Sequence, residues 1–171
     1  FTHNISTGHN IMNKNYYTWE DANKAVNDII LQMFKDNWKP TYIIGLTRGG
    51  LAPAVLLSNK TGIPMYTLDV RLRDTFKGYE PESNTRFVNQ ALKGKNILIV
   101  DDINDTGETL EWIHNDWKDM WPSKETETMW HENVRVACLV NNEASGFEID
   151  YSSVQINKIE TPQWVVFPWE E

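Results

Sequence analysis

Residues 97–109 read Ile97-Leu98-Ile99-Val100-Asp101-Asp102-Ile103-Asn104-Asp105-Thr106-Gly107-Glu108-Thr109, and the order of side chains in this stretch decides the fold. Ile97 to Val100 are four consecutive apolar residues, the pattern of a short strand buried on both faces. The run ends on adjacent acids, Asp101 and Asp102. Asp105, Thr106, Gly107 and Thr109 then form a small polar loop that opens onto a helix. Strand, acid pair, small loop and helix start, in that order, make a site for a phosphorylated, hydroxyl-bearing ligand. The amides of the loop and first helical turn have no intrahelical partners, and the helix dipole favours an anion beside them. The acids suit sugar hydroxyls or Mg²⁺, which takes oxygen ligands.

The flanking sequence alternates helix and strand. Its periodicities predict a helix over 19–36, a strand near 41–46, a helix near 51–60 and a strand near 64–70. A strand at 96–101, a helix at 107–120 and a strand at 134–140 follow. That order predicts an α/β fold, a central mostly parallel sheet with helices on both faces and ligands at the carboxyl ends of its strands. Residues 42–57 run from a strand through Arg48-Gly49-Gly50 into an apolar helix, so a second ligand loop shares that edge. Glycines in such a turn let backbone amides approach a ligand, Pro53 suits a helix start and Gly62 suits its end. Thr18 with Asp21 forms a capping box for the first helix. Ala22, Val26, Ile29, Ile30, Met33 and Phe34 recur at helical spacing and mark its buried face.

Composition narrows the class. The chain has 171 residues, enough for one full core, and carries eight tryptophans, six tyrosines and six phenylalanines, an aromatic content that excludes a disordered chain. The net charge of −8 argues against nucleic-acid binding, which calls for a basic patch. No apolar run approaches the length that spans a bilayer, and no secretory leader is evident, so a cytoplasmic location is expected. Cys138 lies in the apolar run 134–140 and reads as a buried thiol; as the single cysteine it has no intrachain partner. His114 and His131 have no companions at metal-ligand spacing and read as surface or structural residues. The segment from Trp121 to Glu132, with its tryptophans and methionine among charges, reads as packing onto the core.

The acid motif of residues 97–109 resembles the phosphoribosyl-pyrophosphate (PRPP) signature of the type I phosphoribosyltransferases, closest to the xanthine-guanine and hypoxanthine (6-oxopurine) enzymes. The resemblance implies that Asp101 and Asp102 hold the ribose hydroxyls and a Mg²⁺-bound substrate, with Asp102 meeting Mg²⁺ largely through PRPP and water. It implies that Asp105, Thr106, Gly107, Glu108 and Thr109 cradle the 5′-phosphate, and that Arg48 and Gly49 bind pyrophosphate. An aspartate at the position of Asp105 is the mark of 6-oxopurine members. Bond formation at the purine N9 displaces charge into the imidazole ring, and a carboxylate near N7 can manage that proton.

Two further segments carry the same resemblance. Trp164-Val165-Val166-Phe167-Pro168-Trp169-Glu170 is similar to the terminal Trp-x-x-x-Pro-Trp-acid segment of xanthine-guanine enzymes, which implies that Trp164 stacks on the base and the Val165 backbone reads its edge. Residues 71–92 read as a long polar loop, matching the family's flexible hood, with Arg71 and Arg73 the first choices to meet pyrophosphate and Lys77 and Arg86 as alternatives. Residues 1–15 read as a poorly ordered N-terminal extension to a single domain, 16–171.

One departure bears on specificity. The family places a lysine after the strand corresponding to 134–140, where it hydrogen-bonds the 6-oxo group; here Asn141 and Asn142 follow Val140. The expectation is that Asn142 contributes to base binding, with Lys158 in the next segment as a candidate substitute. The family reading is a Mg²⁺-dependent enzyme, a homodimer or homotetramer in purine salvage, that joins guanine, xanthine or hypoxanthine to PRPP and releases pyrophosphate. The alternatives are the same fold acting on adenine or a pyrimidine, and a non-catalytic PRPP- or nucleotide-binding regulator.

Overall fold

The computed structural model describes residues 13–70 and 81–171. Five strands form an all-parallel sheet: β2 (Tyr42–Thr47), β3 (Met65–Asp69), β4 (Ile97–Asn104), β5 (Val134–Asn142) and β6 (Tyr151–Ile156), in the order β3-β2-β4-β5-β6. The helices α1 (Trp19–Lys35), α2 (Leu51–Thr61), α3 (Pro81–Leu92), α4 (Glu108–Met120) and α5 (Lys124–Thr128) divide between its two faces. The expected parallel sheet with helices on both sides is therefore the fold found.

Alternation along the strands builds two cores. Leu98 and Val100 of β4 pack with Ile29 of α1 and Leu57 of α2, while Ile97 and Ile99 pack with Val88 of α3 and Ile113 and Trp117 of α4. Because β4 has a parallel neighbour on each side, its backbone is paired and both its faces are covered. Cys138 is fully buried in the second core, and burial pushes its thiol well above the ordinary range. Trp121 packs against that core from its edge, and Met129 and Trp130, which follow α5, lie within it.

The first helix starts as its sequence requires. The Thr18 hydroxyl accepts the Asp21 amide at 3.0 Å, and the Asp21 carboxylate accepts the Thr18 amide at 2.9 Å. Its buried stripe is Ala22, Ala25, Val26, Ile29 and Met33, with Ile30 on the shoulder. Phe34 is a correction, since it is 81% exposed. Each helical residue turns about 100° from the last, so a side chain following Met33 leaves the stripe.

Three elements differ from the sequence reading. Residues 13–15, expected in an N-terminal extension, belong to strand β1 (Asn13–Tyr16), which pairs in parallel with β7 (Gln163–Val166) as a separate ribbon. β6 extends the main sheet beyond β5. The second half of the stretch expected as a hood loop is helix α3, held by the burial of Phe87, Val88 and Ala91. Arg71, Arg73 and Lys77 lie outside the described residues. Arg86 is directed elsewhere: its guanidinium lies 4.7 Å from the centre of the Tyr66 ring, toward the amino end of β3 and away from the ligand edge.

Truncating the two apolar positions of α1 separates core from surface. Ile29→Ala should cost about 2–5 kcal/mol, whereas Phe34→Ala should stay within about 0.5 kcal/mol; denaturant unfolding of both variants checks this.

Candidate active site

Parallel pairing carries the loops after β2, β4 and β5 to one edge. Side chains alternate along β4, so its two acids leave on opposite faces. Asp101 pairs in register with the buried Cys138. Asp102 turns the other way, toward the loop after β2. There a side chain on Gly49 would meet the Asp102 carboxylate: a Cβ built on Gly49 lies 2.4 Å from Oδ2 and 2.7 Å from Oδ1. The two predicted ligand loops thus touch, and they touch through a glycine. The Thr47–Arg48 peptide bond that introduces this turn is cis.

The acids are held by main-chain donors. The Asp101 Oδ1 accepts the Asp102 amide at 2.9 Å, and the Asp102 Oδ1 accepts the Ile103 amide at 2.8 Å. The Trp169 indole N–H points to Asp102 Oδ2 from 3.5 Å. Burial pushes the Asp101 carboxyl well above the usual carboxylate range, and the neighbouring charge of Asp102 pushes it further. Burial also raises Asp102, against the lowering effect of its amide and indole donors. Arg48, Gly49, Leu51, Asp102, Trp169 and Glu170 line a cavity of about 620 Å³ over this point.

The small loop after β4 encloses a second cavity, of about 240 Å³, lined by residues 101–110. Gly107 takes φ +87° at the cap of α4, where a Cβ would also press on Ser145 Oγ at 2.7 Å and on the Phe147 amide nitrogen at 2.8 Å. Its neighbours are braced from the loop after β5. The Gly146 amide donates to the Thr106 carbonyl at 3.0 Å, and Asn104 Nδ2 donates to the Phe147 carbonyl at 2.9 Å. The Thr106 hydroxyl accepts the Glu108 amide at 3.2 Å. Residues 105–109, expected as a phosphate cradle, therefore line one concave, amide-bearing pocket.

At the far side of this loop the Asp105 carboxylate meets Lys158, with Nζ 3.0 Å from Oδ2. The same Nζ lies 5.7 Å from the centre of the Trp164 ring. Lys158 has a side chain only 16% exposed, while Trp164 is 52% exposed and presents an open aromatic face. From the sequence Lys158 is no more than a candidate substitute, because neither spacing nor periodicity places a loop lysine. Val165 is buried and its backbone sits in the β1–β7 ladder.

Asn142 requires a correction, since both ends of its side chain are engaged by backbone. Its Nδ2 donates to the Asp105 carbonyl at 2.9 Å, and its Oδ1 accepts the Lys158 amide at 3.0 Å. Asn141 is likewise engaged, donating to Gln155 and accepting from Asn104, each at 2.9 Å. Both asparagine side chains are thus engaged within the protein, whereas the ammonium beside Trp164 is that of Lys158.

The chain is similar to proteins of known sequence and structure. The family model described as phosphoribosyl transferase domain matches residues 12–171. A xanthine-guanine phosphoribosyltransferase of Cereibacter sphaeroides is 29% identical over 144 residues, covering 79% of this chain and 72% of that protein. One from Chromohalobacter salexigens is 26% identical over 160 residues, covering 90% and 82%. The crystal structure of a purine phosphoribosyltransferase from Pyrococcus horikoshii superposes with a TM-score of 0.67 at 29% identity, covering 94% of this chain and 95% of that one.

The raised Asp101 carboxyl has a consequence for stability. A group whose folded-state pKa is raised favours folding while protonated and loses that contribution as pH rises. Asp101→Asn should therefore melt higher than the parent without ligand, and by more at pH 8 than at pH 5. A gain of roughly 2–4 °C corresponds to about 1 kcal/mol in a chain of this size; thermal melts at both pH values decide it.

Proposed function

The chain belongs to the phosphoribosyl transferase domain family, a class of pentosyl-transferring enzymes, and from that premise we propose that it joins a 6-oxopurine base to PRPP, giving a nucleoside 5′-monophosphate and pyrophosphate. The observation that carries the base class is the Lys158 ammonium, paired with Asp105 and beside the open face of Trp164. A planar ring stacked on Trp164 would find a cationic donor for an exocyclic carbonyl and a carboxylate for a ring nitrogen. Such a charge-assisted hydrogen bond contributes about 1.5–3 kcal/mol, more than a neutral amide offers. An amino group at the same position would set donor against donor. Guanine, xanthine and hypoxanthine, the bases in question, share the carbonyl.

The remaining roles follow from the pockets. Amides of residues 105–109, with the Thr106 and Thr109 hydroxyls, would hold the 5′-phosphate at the start of α4. Asp101 and Asp102, which both line the smaller pocket, would hold the ribose hydroxyls, and Arg48 with the Gly49 amide, in the larger one, would meet the pyrophosphate. Arg71 and Arg73 remain proposed as further pyrophosphate ligands. Mg²⁺ fits the donor chemistry here: buried carboxylate oxygen at Asp102, where a cation would offset the charge that burial disfavours. Among the described residues no cluster of three or more acids, histidines or cysteines could cage a metal, so Mg²⁺ would be held mainly by PRPP and water, with Asp102 beside it. When bound it would neutralise charge on the departing pyrophosphate.

As the N9–C1′ bond forms and the C1′–O bond to pyrophosphate breaks, the sugar passes through a cation-like state. This chain contributes by fixing both reactants in line and by receiving charge at Arg48. Asp105 would take up the proton that the imidazole ring of the base sheds, with Lys158 holding its carboxylate in place.

Pyrophosphate release from PRPP and Mg²⁺ tests the proposal, with hypoxanthine, guanine, xanthine, adenine, uracil and orotate offered singly. Turnover with at least one 6-oxopurine and none with adenine is expected; turnover with adenine or a pyrimidine alone would sink the assignment of Asp105 and Lys158. PRPP binding without turnover on any base would favour a regulator. Asp105→Asn should lower kcat by about 10²–10⁴ while PRPP affinity, read by calorimetry, changes far less. A variant with normal turnover removes Asp105 from the chemistry.

A further inference from the structure

Asn142 ends β5 and is 6% exposed, and its one short side chain binds three separate backbone segments. Its Nδ2 donates to the carbonyl of Asp105 at 2.9 Å. Its Oδ1 accepts the amides of Lys158 at 3.0 Å and Ala144 at 3.3 Å. The Lys158 ammonium then returns to the Asp105 carboxylate at 3.0 Å. Main chain and side chain of both functional residues are thus tied into one closed circuit, and Asn142 is the member that faces no ligand pocket.

Resting on the proposed function, we propose that Asn142 is a positioning residue that sets the Lys158 ammonium at the level of the bound base, and so sets base preference without touching the base. Lys158 stands on the connection between β6 and β7, where the chain has no sheet of its own to fix its height. The Asn142 acceptor pins the lysine's backbone at a defined distance from the Asp105 backbone, which the Asn142 donor pins in turn. Only a side chain carrying donor and acceptor on adjacent atoms can do both. Aspartate would turn an acceptor onto the Asp105 carbonyl. Leucine would leave that carbonyl and the Lys158 amide without partners in a nearly closed site. Asn141 cannot take over, because Asn104 and Gln155 already engage it.

A buried amide that merely stabilises the fold would lower melting temperature and leave base discrimination alone, so a double-mutant cycle separates the two roles. The KM for guanine, or for whichever 6-oxopurine turns over best, is measured in the parent, Asn142→Ala, Lys158→Met and the double variant, each with KM for PRPP. Asn142→Ala should raise the base KM about tenfold when Lys158 is present, and by less than about twofold in the Lys158→Met background. KM for PRPP should move by less than about threefold in both. Equal rises in the two backgrounds, or no rise in either, would overturn the proposal. If Asn142→Ala does not fold, Asn142→Ser, whose hydroxyl lies one bond short of the amide's oxygen and nitrogen and cannot reach both backbone partners, is carried through the same cycle and judged by the same two differences. A parent chain that binds PRPP but turns over no 6-oxopurine would overturn the proposed function and this inference with it; a parent that turns over normally with an additive cycle would overturn the inference alone.

Discussion

The contact between the Gly49 backbone and the Asp102 carboxylate joins the two halves of the site, and much of the sheet serves to bring it about. Asp102 can face the loop after β2 only because β4 sends alternate side chains to the α1–α2 side and because β2 is its direct neighbour. A strand inserted between β2 and β4 would carry that loop about 4.8 Å away. A methyl group on Gly49 would collide with the Asp102 carboxylate and push the two loops apart locally. The order β3-β2-β4-β5-β6 is therefore a condition of the site, since it sets the amide-bearing loop after β4, the acids and the Arg48 loop side by side along one edge.

That arrangement opposes stability. Two adjacent carboxylates stand where burial raises both, and among the described residues neither has a cationic side chain bonded to it. The compensation is distributed. Main-chain amides of Asp102 and Ile103 supply hydrogen bonds, and β4 is paired with β2 as far as Val100 and with β5 as far as Asn104, which holds its end. Around the acids, polar side chains extend the order of the sheet past its hydrogen-bonded ends: Asn104, Asn141 and Gln155 form a row of amides across β4, β5 and β6. Such a network is favourable when its members are satisfied and costly when one is not. The site is thereby preorganised for a ligand that brings positive charge to the acids and negative charge to the amides.

What could be read from the sequence follows the physics of each element. Buried parallel strands advertise themselves as unbroken apolar runs, so β2, β4 and β5 were readable, and Thr18 with Asp21 marked the start of α1 to the residue. β1 and β6 were not, because Asn13–Tyr16 is exposed throughout and Tyr151–Ile156 mixes serine and glutamine with its apolar residues. Each becomes a strand through its partner, and the partner of β1 lies at the opposite end of the chain. Helix α3 begins in polar sequence and, among the residues whose burial is described, buries Phe87, Val88 and Ala91 near its end, too short a stripe to outweigh the loop-like composition before it. For the candidate site, Asp101 and Asp102 stand in the carboxyl half of β4 and Arg48 directly follows β2, so their positions were readable. The roles of Asn142 and Lys158 depend on where two loops cross, which one-dimensional spacing does not encode.

The crossing also shows how a lysine outside β5 can stand beside Asp105 and Trp164. An ammonium that reads a base needs a position relative to the stacking ring and to the acid, not a position in the sequence. Trp164 and Asp105 fix the two other corners, one from β7 and one from the loop after β4. A lysine from any segment passing between them can supply the third, provided that its backbone is held. Strand β5 holds a side chain at its own end by its ladder alone. The connection that carries Lys158 has no ladder, so it needs a side chain to replace one. Placing an asparagine where the family has its lysine leaves the end of β5 with a residue that can do so, and Asn142 is bonded in that manner to the Lys158 amide.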